Sequence, residues 1–556
     1  MFIRKKPNMV LGLLGIMLVS LAVFAIACGS DAAPVPASAP YVAPTAVPAV
    51  GATAVPVATS KPKAVPTFAT GPKQGGFLRY AAETTPDTLD PHLTAVSDIY
   101  QFGFMSLGRL LELNRDGSIK PLVAKSWTTS PDGSSVSFEL EKGVKFHDGT
   151  DLDAAAVAWN FDRIFDPDVP SPRRTEIKDF IDKVTADSSH TVTFHMPQAF
   201  RGLLVTLATE RAAFLISPTA QQALGDDFGA NPVGAGPYKF VDWVVGQHIN
   251  VERFDGYFEP GKPYLDKIKM QSVSDDAVRI AMLRTGESDL IRKGRIRPDE
   301  VPILERNPRL KVTTIPGTAT YGMLFNVSKA PYTNKALREG MNYAFNREDV
   351  VIGAFSGVGR PAYSMESQGW AHHADLEIFK YDPVKAKEKL AEAGYNGEKL
   401  PVACLAGSRT LQICEAYQAV WADNGINLDI EAVPRDRMWG PTNHSFKEVG
   451  LMSTWYTHRA DPYLRLSWIY QSDGWYNPNK GYNDPQMDKM LKEASAEYDQ
   501  TKASQMYRDI FIRGGEAALW VYAVWADGFV GMDKKVMNYF PTATIGDRLQ
   551  LLWFDE

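Results

Sequence analysis

A long tract without any folding pattern separates the start of the chain from the rest. Residues 29–73 are rich in proline, alanine, valine and threonine, carry almost no charge and show neither helical nor strand periodicity. Such a segment buries too little surface to fold, and its prolines favour an extended conformation. At about 3.1 Å per residue it would reach over about 100 Å when fully extended. We therefore expect residues 28–74 to be a disordered tether, with globular structure beginning near Gly75.

The segment before the tract has the layout of an export signal. Its first eight residues are basic, and the next nineteen, ending at Ala27, carry no charge. A basic start, an apolar stretch and small residues before a cleavage point define such a signal. The ending AIAC resembles a bacterial lipobox, although Ala25 stands where that motif prefers leucine. We predict a lipoprotein signal peptide over residues 1–27, lipidation of Cys28 and an extracytoplasmic location on the outer face of the membrane.

The alternative for this segment is an uncleaved membrane anchor, because the apolar run is long enough to span a bilayer. Either reading places the folded part outside the cytoplasm. A length of 556 residues favours two or three domains. The formal charge of −6 and a charged fraction of 22% give no reason to expect a nucleic-acid partner.

Hairpins dominate the predicted structure before residue 310. A buried strand starts at Gly75, and Pro131-Asp132-Gly133 is a strong turn signal between two alternating segments. A helix follows, with Asp153 as its expected cap. Further hairpins are predicted over 183–196 and 237–254, and a short helix running into a strand over 275–291.

Beyond residue 310 helices alternate with strands. Two strands are predicted over 310–327, followed by an apolar helical stripe from Ala336 to Phe345. Asp382 and Pro383 predict a helix start, and residues 401–433 read as a strand–helix–strand unit. These patterns predict a mixed α/β protein of two lobes.

Cys404 and Cys414 are the two cysteines that follow Cys28. A disulfide between them is permitted outside the cytoplasm, and two buried free thiols are the alternative. Without a supporting histidine cluster they do not form a zinc site, so we expect neither a metal nor another cofactor.

Five segments, in this order, resemble the solute-binding proteins of ABC importers that take up oligopeptides, dipeptides and nickel chelates (family 5). The resemblance covers roughly residues 76–540. Its segments are TLDPH at 88–92, the hairpin and helix at 122–164, NPVGAGPYKF at 231–240, PYTNKALREGMNYAFNREDVV at 331–351 and YNDPQMDKMLKEAS at 482–495.

The resemblance implies a two-lobed periplasmic-binding-protein type II fold with a hinge and an extra subdomain in the first lobe. Lobe I would comprise 75–313 with 521–556, and lobe II would comprise 314–520. A solute would bind in the cleft between the lobes, and the closed form would then dock on a permease. The expected partners are a small-molecule or peptide ligand, an ABC permease with its ATPase, and the membrane through the lipid anchor. The protein itself is expected to be a monomer.

Two segments carry the candidate ligand-binding residues. In the resembling family the loop after the first strand lines the cleft, which makes Glu83 and Thr84 candidates. The second segment reads STWYTHRADPYL from residue 453. Its candidates are Trp455, Tyr456, His458, Arg459 and Asp461.

The second segment departs from the pattern of peptide-binding relatives, W-x-x-D-x-x-D-P, at one position. Trp455 and Asp461-Pro462 match, but His458 stands where an aspartate captures the α-amino group of a peptide. A buried amine needs an anion, which a histidine beside Arg459 does not supply. The hypothesis is that the ligand is not an ordinary free-amine peptide, or that its amine is held elsewhere. Trp455 and Tyr456 would stack on it, Arg459 would pair with a carboxylate or phosphate, and His458 would exchange a hydrogen bond or ligate a metal chelate.

Other readings of these residues stay open in the sequence. Asp461 is also a candidate helix cap, and Arg459 could point to solvent. A hydrolase using His458 would need a nucleophile or metal at a strand–helix elbow, and no such motif occurs, so no enzyme is expected. The alternative to import is a sensor that presents its closed form to a signalling receptor.

Overall fold

The structure is a computed structural model of the full chain. It describes residues 71–83, 86–94, 99–114, 118–292, 294, 296–367, 372–374, 376–406, 409–434, 437–438, 448–457, 461–474, 481–539 and 546–555. Within these residues no helix has the length and apolar character needed to cross a bilayer. The predicted signal peptide, Cys28 and the tether lie outside the described residues.

Nineteen strands are present in the described residues. They are β1 (Phe77–Ala82), β2 (Leu111–Leu113), β3 (Ile119–Pro121), β4 (Ala124–Thr129), β5 (Ser135–Leu140), β6 (Lys183–Ala186), β7 (Thr191–His195), β8 (Tyr238–Val244), β9 (His248–Arg253), β10 (Lys267–Ser272), β11 (Leu290–Ile291), β12 (Leu310–Phe325), β13 (Arg360–Pro361), β14 (Leu400–Leu405), β15 (Leu428–Val433), β16 (Leu451–Thr457), β17 (Trp520–Asp533), β18 (Val536–Met537) and β19 (Trp553–Phe554).

The helices are distributed between these strands, as the mixed α/β prediction requires. They are α1 (Ile99–Ser106), α2 (Ala154–Phe165), α3 (Arg174–Ile177), α4 (Leu203–Thr209), α5 (Pro218–Leu224), α6 (Asp276–Thr285), α7 (Val301–Glu305), α8 (Lys335–Tyr343), α9 (Arg347–Phe355), α10 (Pro383–Glu392), α11 (Arg409–Ala422), α12 (Tyr463–Tyr470), α13 (Pro485–Ala496) and α14 (Gln500–Glu516). Short 3-10 turns lie at 211–213, 225–230, 298–300 and 549–551.

One large sheet runs through the folded part. Its strand order is β15-β14-β16-β12-β17-β11-β1-β10-β9-β8, and β13 pairs with β17 beside this path. The long strands β12 and β17 lie at its centre, so that one half of the sheet is built on β1, β8–β11 and the other on β14–β16. A separate four-stranded sheet, β4-β5-β7-β6, forms from the hairpin region before α4. We call residues 118–203, which contain this sheet, the small-sheet region.

Turn and cap chemistry placed several elements where the sequence predicts them. Asp132 accepts a hydrogen bond from the Ser134 amide, and Gly133 takes the positive φ of 72° that turns β4 into β5. The Asp153 side chain caps α2, and Asp382 caps α10 with Pro383 at its first position. These predicted hairpins and helices are confirmed.

Two boundaries differ from the prediction. The segment expected to form two strands is the single strand β12, whose register with β17 shifts between Ile315 and Ala319. The apolar stripe from Ala336 to Phe345 extends past its helix, because α8 ends at Tyr343 and α9 starts only after the Asn346 cap. In this second case the apolar pattern continues beyond the last helical residue, and periodicity alone does not detect the end of the helix.

Each half of the large sheet has its own apolar core. In the first half the core includes Leu78, Tyr80, Ile268, Leu290 and Val530. In the second half it includes Met323, Phe345, Trp421, Leu451 and Val521. The predicted strand–helix–strand unit is present, with β14 and β15 parallel and α11 between them. Cys404 on β14 and Cys414 on α11 form a buried disulfide in this second core.

A buried charge cluster ties the C-terminal segment to the start of the small-sheet region. Glu112 is 2% exposed and contacts Arg548, with Lys120 Nζ at 2.8 Å and Arg109 at 3.8 Å. Burial would raise the pKa of Glu112, but Arg548 and Arg109 outweigh it and lower the pKa to about 2. The carboxylate is therefore charged at neutral pH and balances cations that the fold has removed from water.

Candidate functional site

The pairing registers bring the carboxyl ends of both sheet halves to one place. In the first half β11 runs antiparallel to β17, with Leu290 opposite Met532, and parallel to β1. Since β17 runs from the second half toward Asp533, β11 and β1 run back toward the register shift in β12. Their last residues are Ile291 and Ala82.

The second half is arranged in the opposite direction. β16 runs antiparallel to β12, and its final residue Thr457 lies opposite Ala319, directly beyond the register shift. β14 is parallel to β16, so it also ends on this side. Ligands of α/β proteins bind outside the carboxyl ends of parallel strands. Both halves therefore direct their binding edges at a common crevice beside residues 315–319.

A connecting segment packs across this central point. The Thr320 hydroxyl donates to the Met365 carbonyl at 2.6 Å, and the Trp525 indole donates to the Ser364 carbonyl at 3.0 Å. Glu366, the residue that follows Met365, is only 1% exposed. The segment 360–367 is therefore fixed on the two central strands, and it brings a buried acid to the crevice region.

Aromatic rings cover the neighbouring face of β16 and β17. Tyr456 is 4% exposed, and its ring centroid lies 4.8 Å from that of Trp520. The guanidinium of Arg465 lies over the Tyr456 ring at 4.7 Å. Trp455 is half-buried on the other face of β16 and stacks on Tyr321 at 6.1 Å. We refer to Tyr456, Trp520 and their neighbour Tyr522 as the aromatic wall.

The phenol of Tyr522 in the aromatic wall and that of its partner Tyr470 stay protonated. The Tyr470 and Tyr522 hydroxyls lie 2.6 Å apart. Burial raises the pKa of Tyr470 to about 12. Burial and the neighbouring Tyr470 phenol raise the pKa of Tyr522 well above its usual value. The wall therefore presents neutral aromatic groups throughout the physiological pH range.

Asp461 is engaged by the protein itself. One carboxylate oxygen accepts from the Tyr463 amide at 2.9 Å and the Tyr507 hydroxyl at 3.1 Å. The other accepts from Arg201 at 2.9 Å. The N-cap position of α12 is Pro462, so Asp461 lies one residue before the cap and contacts the first amide of the helix from there. Its carboxylate is neutralised by Arg201 of the small-sheet region.

The remaining predicted residues are placed only in part. Glu83 directly follows β1 at the converging edge and is half-buried. Thr84, His458 and Arg459 lie outside the described residues. Their roles, and ligand contact by Glu83, Trp455 and Tyr456, stay predictions.

In the described part of the chain no group of three metal-ligating side chains lies close enough together to hold a metal ion. His372 instead lies with Nε2 3.0 Å from Arg201 and Nδ1 3.0 Å from the Ser504 hydroxyl. His373 contacts the Glu366 carbonyl at 2.7 Å.

Sequence reasoning missed Arg201, Glu366 and Trp520. Each is far in sequence from the quoted motifs, and each reaches this region only through the topology. A detectable signal exists for Trp520 alone, because it begins a strongly apolar strand before the C-terminal tail.

The geometry defines a class of protein. Two sheet halves joined by long central strands, with their carboxyl edges facing one crevice, make a solute-binding protein of the periplasmic type. The family model of the bacterial extracellular solute-binding proteins, family 5 (middle part), matches residues 118–477. The chain belongs to this family, whose members are binding proteins of ABC importers and not enzymes.

Relatives within the family include glutathione-binding proteins. GsiB of Shigella flexneri is 31% identical over 426 residues, which are 75% of this chain and 81% of that protein. GsiB of Pectobacterium atrosepticum is 30% identical over 479 residues, covering 83% of this chain and 90% of that protein.

Solved structures show the same fold. AgaA of A. tumefaciens R10, in complex with agropinic acid, has a TM-score of 0.76 and 25% identity, covering 86% of this chain and 99% of that one. AppA of Bacillus subtilis, in complex with a nonapeptide, has a TM-score of 0.76 and 22% identity, covering 87% and 100%. The predicted family and fold class are confirmed.

Proposed function

We propose that this protein is the receptor of an ABC importer, which captures a peptide-like or other small organic solute and delivers it to a membrane permease. The observation that carries the proposal is the convergence of both carboxyl edges beside residues 315–319. A solute bound there would contact both halves at once. Binding would then favour the arrangement in which the halves are close together.

The hinge of this receptor is proposed at the same point. Lobe I would comprise residues 75–313 with 521–556, and lobe II residues 314–520. On β12 this division is supported by the register shift between Ile315 and Ala319, where the ladder of hydrogen bonds with β17 is interrupted. On β17 the residues opposite the shift are 526–528, beyond the proposed boundary at 520, and Val521 packs in the core of the second half. Hinges act at a few residues that absorb a change in backbone angles.

A lipid anchor on Cys28 and a flexible tether are proposed to hold the receptor at the outer face of the membrane. The support is the lipobox-like ending of the apolar segment and the proline-rich tract after it. Such a tether confines the receptor near its permease while leaving the folded part free to move, which raises its effective concentration there.

The proposed ligand is not an ordinary free-amine peptide. His458 replaces the aspartate that peptide-binding relatives use for the α-amino group, and Asp461 is already neutralised by Arg201. AgaA, a similar protein in complex with agropinic acid, supports a ligand other than a plain peptide. The name of GsiB supports the wider peptide-like class, because glutathione is a γ-linked tripeptide that keeps a free α-amino group. Glu83, Thr84, Trp455, Tyr456, His458 and Arg459 are proposed as contacts.

Calorimetric and thermal-shift titration of the full chain tests the proposal. The panel contains reduced glutathione, plain di- and tripeptides, agropinic acid and a nickel–histidine chelate. A ligand at 100 times its Kd stabilises the native state by about 2.7 kcal/mol, which raises the unfolding temperature.

A matched pair of variants identifies the site. Trp455→Ala should weaken binding of the positive ligand, while Tyr381→Ala, an aromatic residue 39% exposed on the surface, should leave it unchanged. Micromolar binding of plain di- or tripeptides that His458→Ala abolishes would refute the ligand assignment. Equal binding by Trp455→Ala and the wild type would refute the site.

A further inference from the structure

Arg201 is one of the residues through which the small-sheet region contacts the helices of the proposed lobe II, beside the ring contact of Phe200 with Tyr463 at 5.7 Å. It lies between β7 and α4, and its side chain is 14% exposed. Its guanidinium reaches Asp461 at 2.9 Å and Gln500 at 3.1 Å, and its own amide donates to the Ser495 carbonyl at 2.9 Å. All three partners fall within the range proposed for lobe II, whereas Arg201 falls within lobe I.

The pair has the geometry of a strong interaction. The Asp461 side chain is only 4% exposed, so its charge is largely removed from water. A buried carboxylate without a counter-charge is unfavourable, and hydrogen bonds to a charged donor are stronger than those between neutral groups. Separation of the two regions would therefore remove the cation that neutralises Asp461.

His372 fixes the orientation of the arginine. The Ser504 hydroxyl donates to the Gln500 carbonyl at 2.8 Å, so it accepts from the Nδ1–H of His372 at 3.0 Å. Nε2 is then the unprotonated nitrogen, and it accepts from Arg201 at 3.0 Å. Burial and the charge of Arg201 lower the pKa of His372 to about 4, which agrees with this neutral form.

Asp461 is also the last of the candidate ligand-binding residues in the segment that begins at residue 453. Only residues 458–460 separate it from the end of β16, whose Trp455 and Tyr456 are proposed ligand contacts. Arg201 therefore holds Asp461 against the small-sheet region at a position close in sequence to the proposed ligand contacts. The same contact also brings the two proposed lobes together.

We propose that Arg201 is a positioning residue of the solute site, which holds Asp461 and stabilises the arrangement in which the two lobes are in contact. The role of Arg201 at a solute site rests on the proposed function. The contact is made entirely by residues of this chain, so it is testable without any solute.

Distance measurement by pulsed electron spin resonance tests the inference on the full-length chain carrying Cys28→Ser. Nitroxide labels are attached through Lys178→Cys in the small-sheet region and Lys489→Cys on α13, whose native side chains are 50% and 64% exposed. In ligand-free protein with Arg201 intact we expect a short-distance population. Arg201→Gln should lower the ratio of short to long distances about tenfold or more, and Arg201→Lys should retain part of it.

Arg513→Gln is the matched control. Arg513 pairs with Asp484 at 2.6 Å, but both residues lie in the proposed lobe II. This variant should lower the unfolding temperature and leave the distance distribution unchanged. The inference is overturned if Arg201→Gln keeps the native distribution, if Arg513→Gln changes it equally, or if the protein with Arg201 intact has no short-distance population. Since no solute is present, these outcomes are independent of the ligand titrations.

Discussion

His92 is a buried histidine whose protonation the fold opposes. It is 0% exposed, and its Nε2 lies 3.1 Å from the Phe214 carbonyl, to which only a protonated Nε2 can donate. Its Nδ1 lies 2.9 Å from Arg163, whose guanidinium can only donate, so Nδ1 must be the unprotonated nitrogen. Adding a proton to Nδ1 would place two donors and two positive charges against each other.

The unfavourable free energy of protonating His92 in the native protein makes the stability of the protein depend on pH. Burial, together with the positive charge of Arg163 and against the effect of Asp90, lowers the pKa of His92 from 6.5 to about 4. Between these values the unfolded chain binds a proton that the native protein does not. Stability is therefore present above pH 6.5 and is lost as the pH falls toward 4, by about 1.4 kcal/mol per pH unit. From pH 7 to pH 5 the loss is about 2 kcal/mol for this residue.

Urea unfolding at half-unit intervals from pH 7 to pH 4.5, followed by tryptophan fluorescence, measures this slope. His92→Gln keeps a donor for the Phe214 carbonyl and cannot take up the proton. We expect it to be less stable than the wild type at pH 7 but to lose about 2 kcal/mol less on acidification to pH 5. Leu89→Val, a neighbouring buried change without a titrating group, should retain the wild-type slope. A His92→Gln slope equal to that of the wild type would refute the tautomer and pKa argument.

Three further predictions concern the fold. Glu112→Gln should destabilise the protein by about 3–5 kcal/mol in urea unfolding, since it leaves buried arginines without their counter-charge, and a loss below about 1 kcal/mol would contradict the balance of charges described above. Cys404→Ser, like reduction of the wild type, should lower the unfolding free energy relative to the oxidised wild type by roughly 2–3 kcal/mol, because the bond to Cys414 closes a short loop; equal stability of oxidised and reduced protein would exclude that contribution. Gly322→Ala should cost roughly 3 kcal/mol, since its methyl group would overlap the Val521 carbonyl, whereas Gly353→Ala, in open space on α9, should be tolerated; the reverse order would be inconsistent with the packing.

Local chemistry explains how much of the fold could be predicted. The turn at Asp132-Gly133 and the helix start at Asp153 depend on side chains adjacent to the backbone groups they satisfy. Such interactions are encoded within a few residues, so sequence patterns identify them. The end of α8 at Tyr343 was missed because the apolar stripe continues to Phe345.

The site was less predictable, because its parts come from distant elements. Trp455 could be selected from its motif, and Asp461 could be considered as a cap. The third interaction of Asp461, with Arg201, joins residues 260 positions apart and follows only from the tertiary arrangement. Glu366 gave no signal, since an acid in an irregular segment is normally exposed.

The path of β17 determines the order in which this chain can complete its structure. Its residues Trp520–Asp533 pair with β12 in both halves and with β11 in the first. They follow β12 in the chain only after helices α8–α14 and strands β13–β16. Neither half has its central strand until these intervening elements have been synthesised, so a chain that stops at residue 510 would contain two incomplete sheets instead of one finished lobe. The nascent chain must therefore avoid aggregation through the open edges of β11 and β12 while the intervening elements are made.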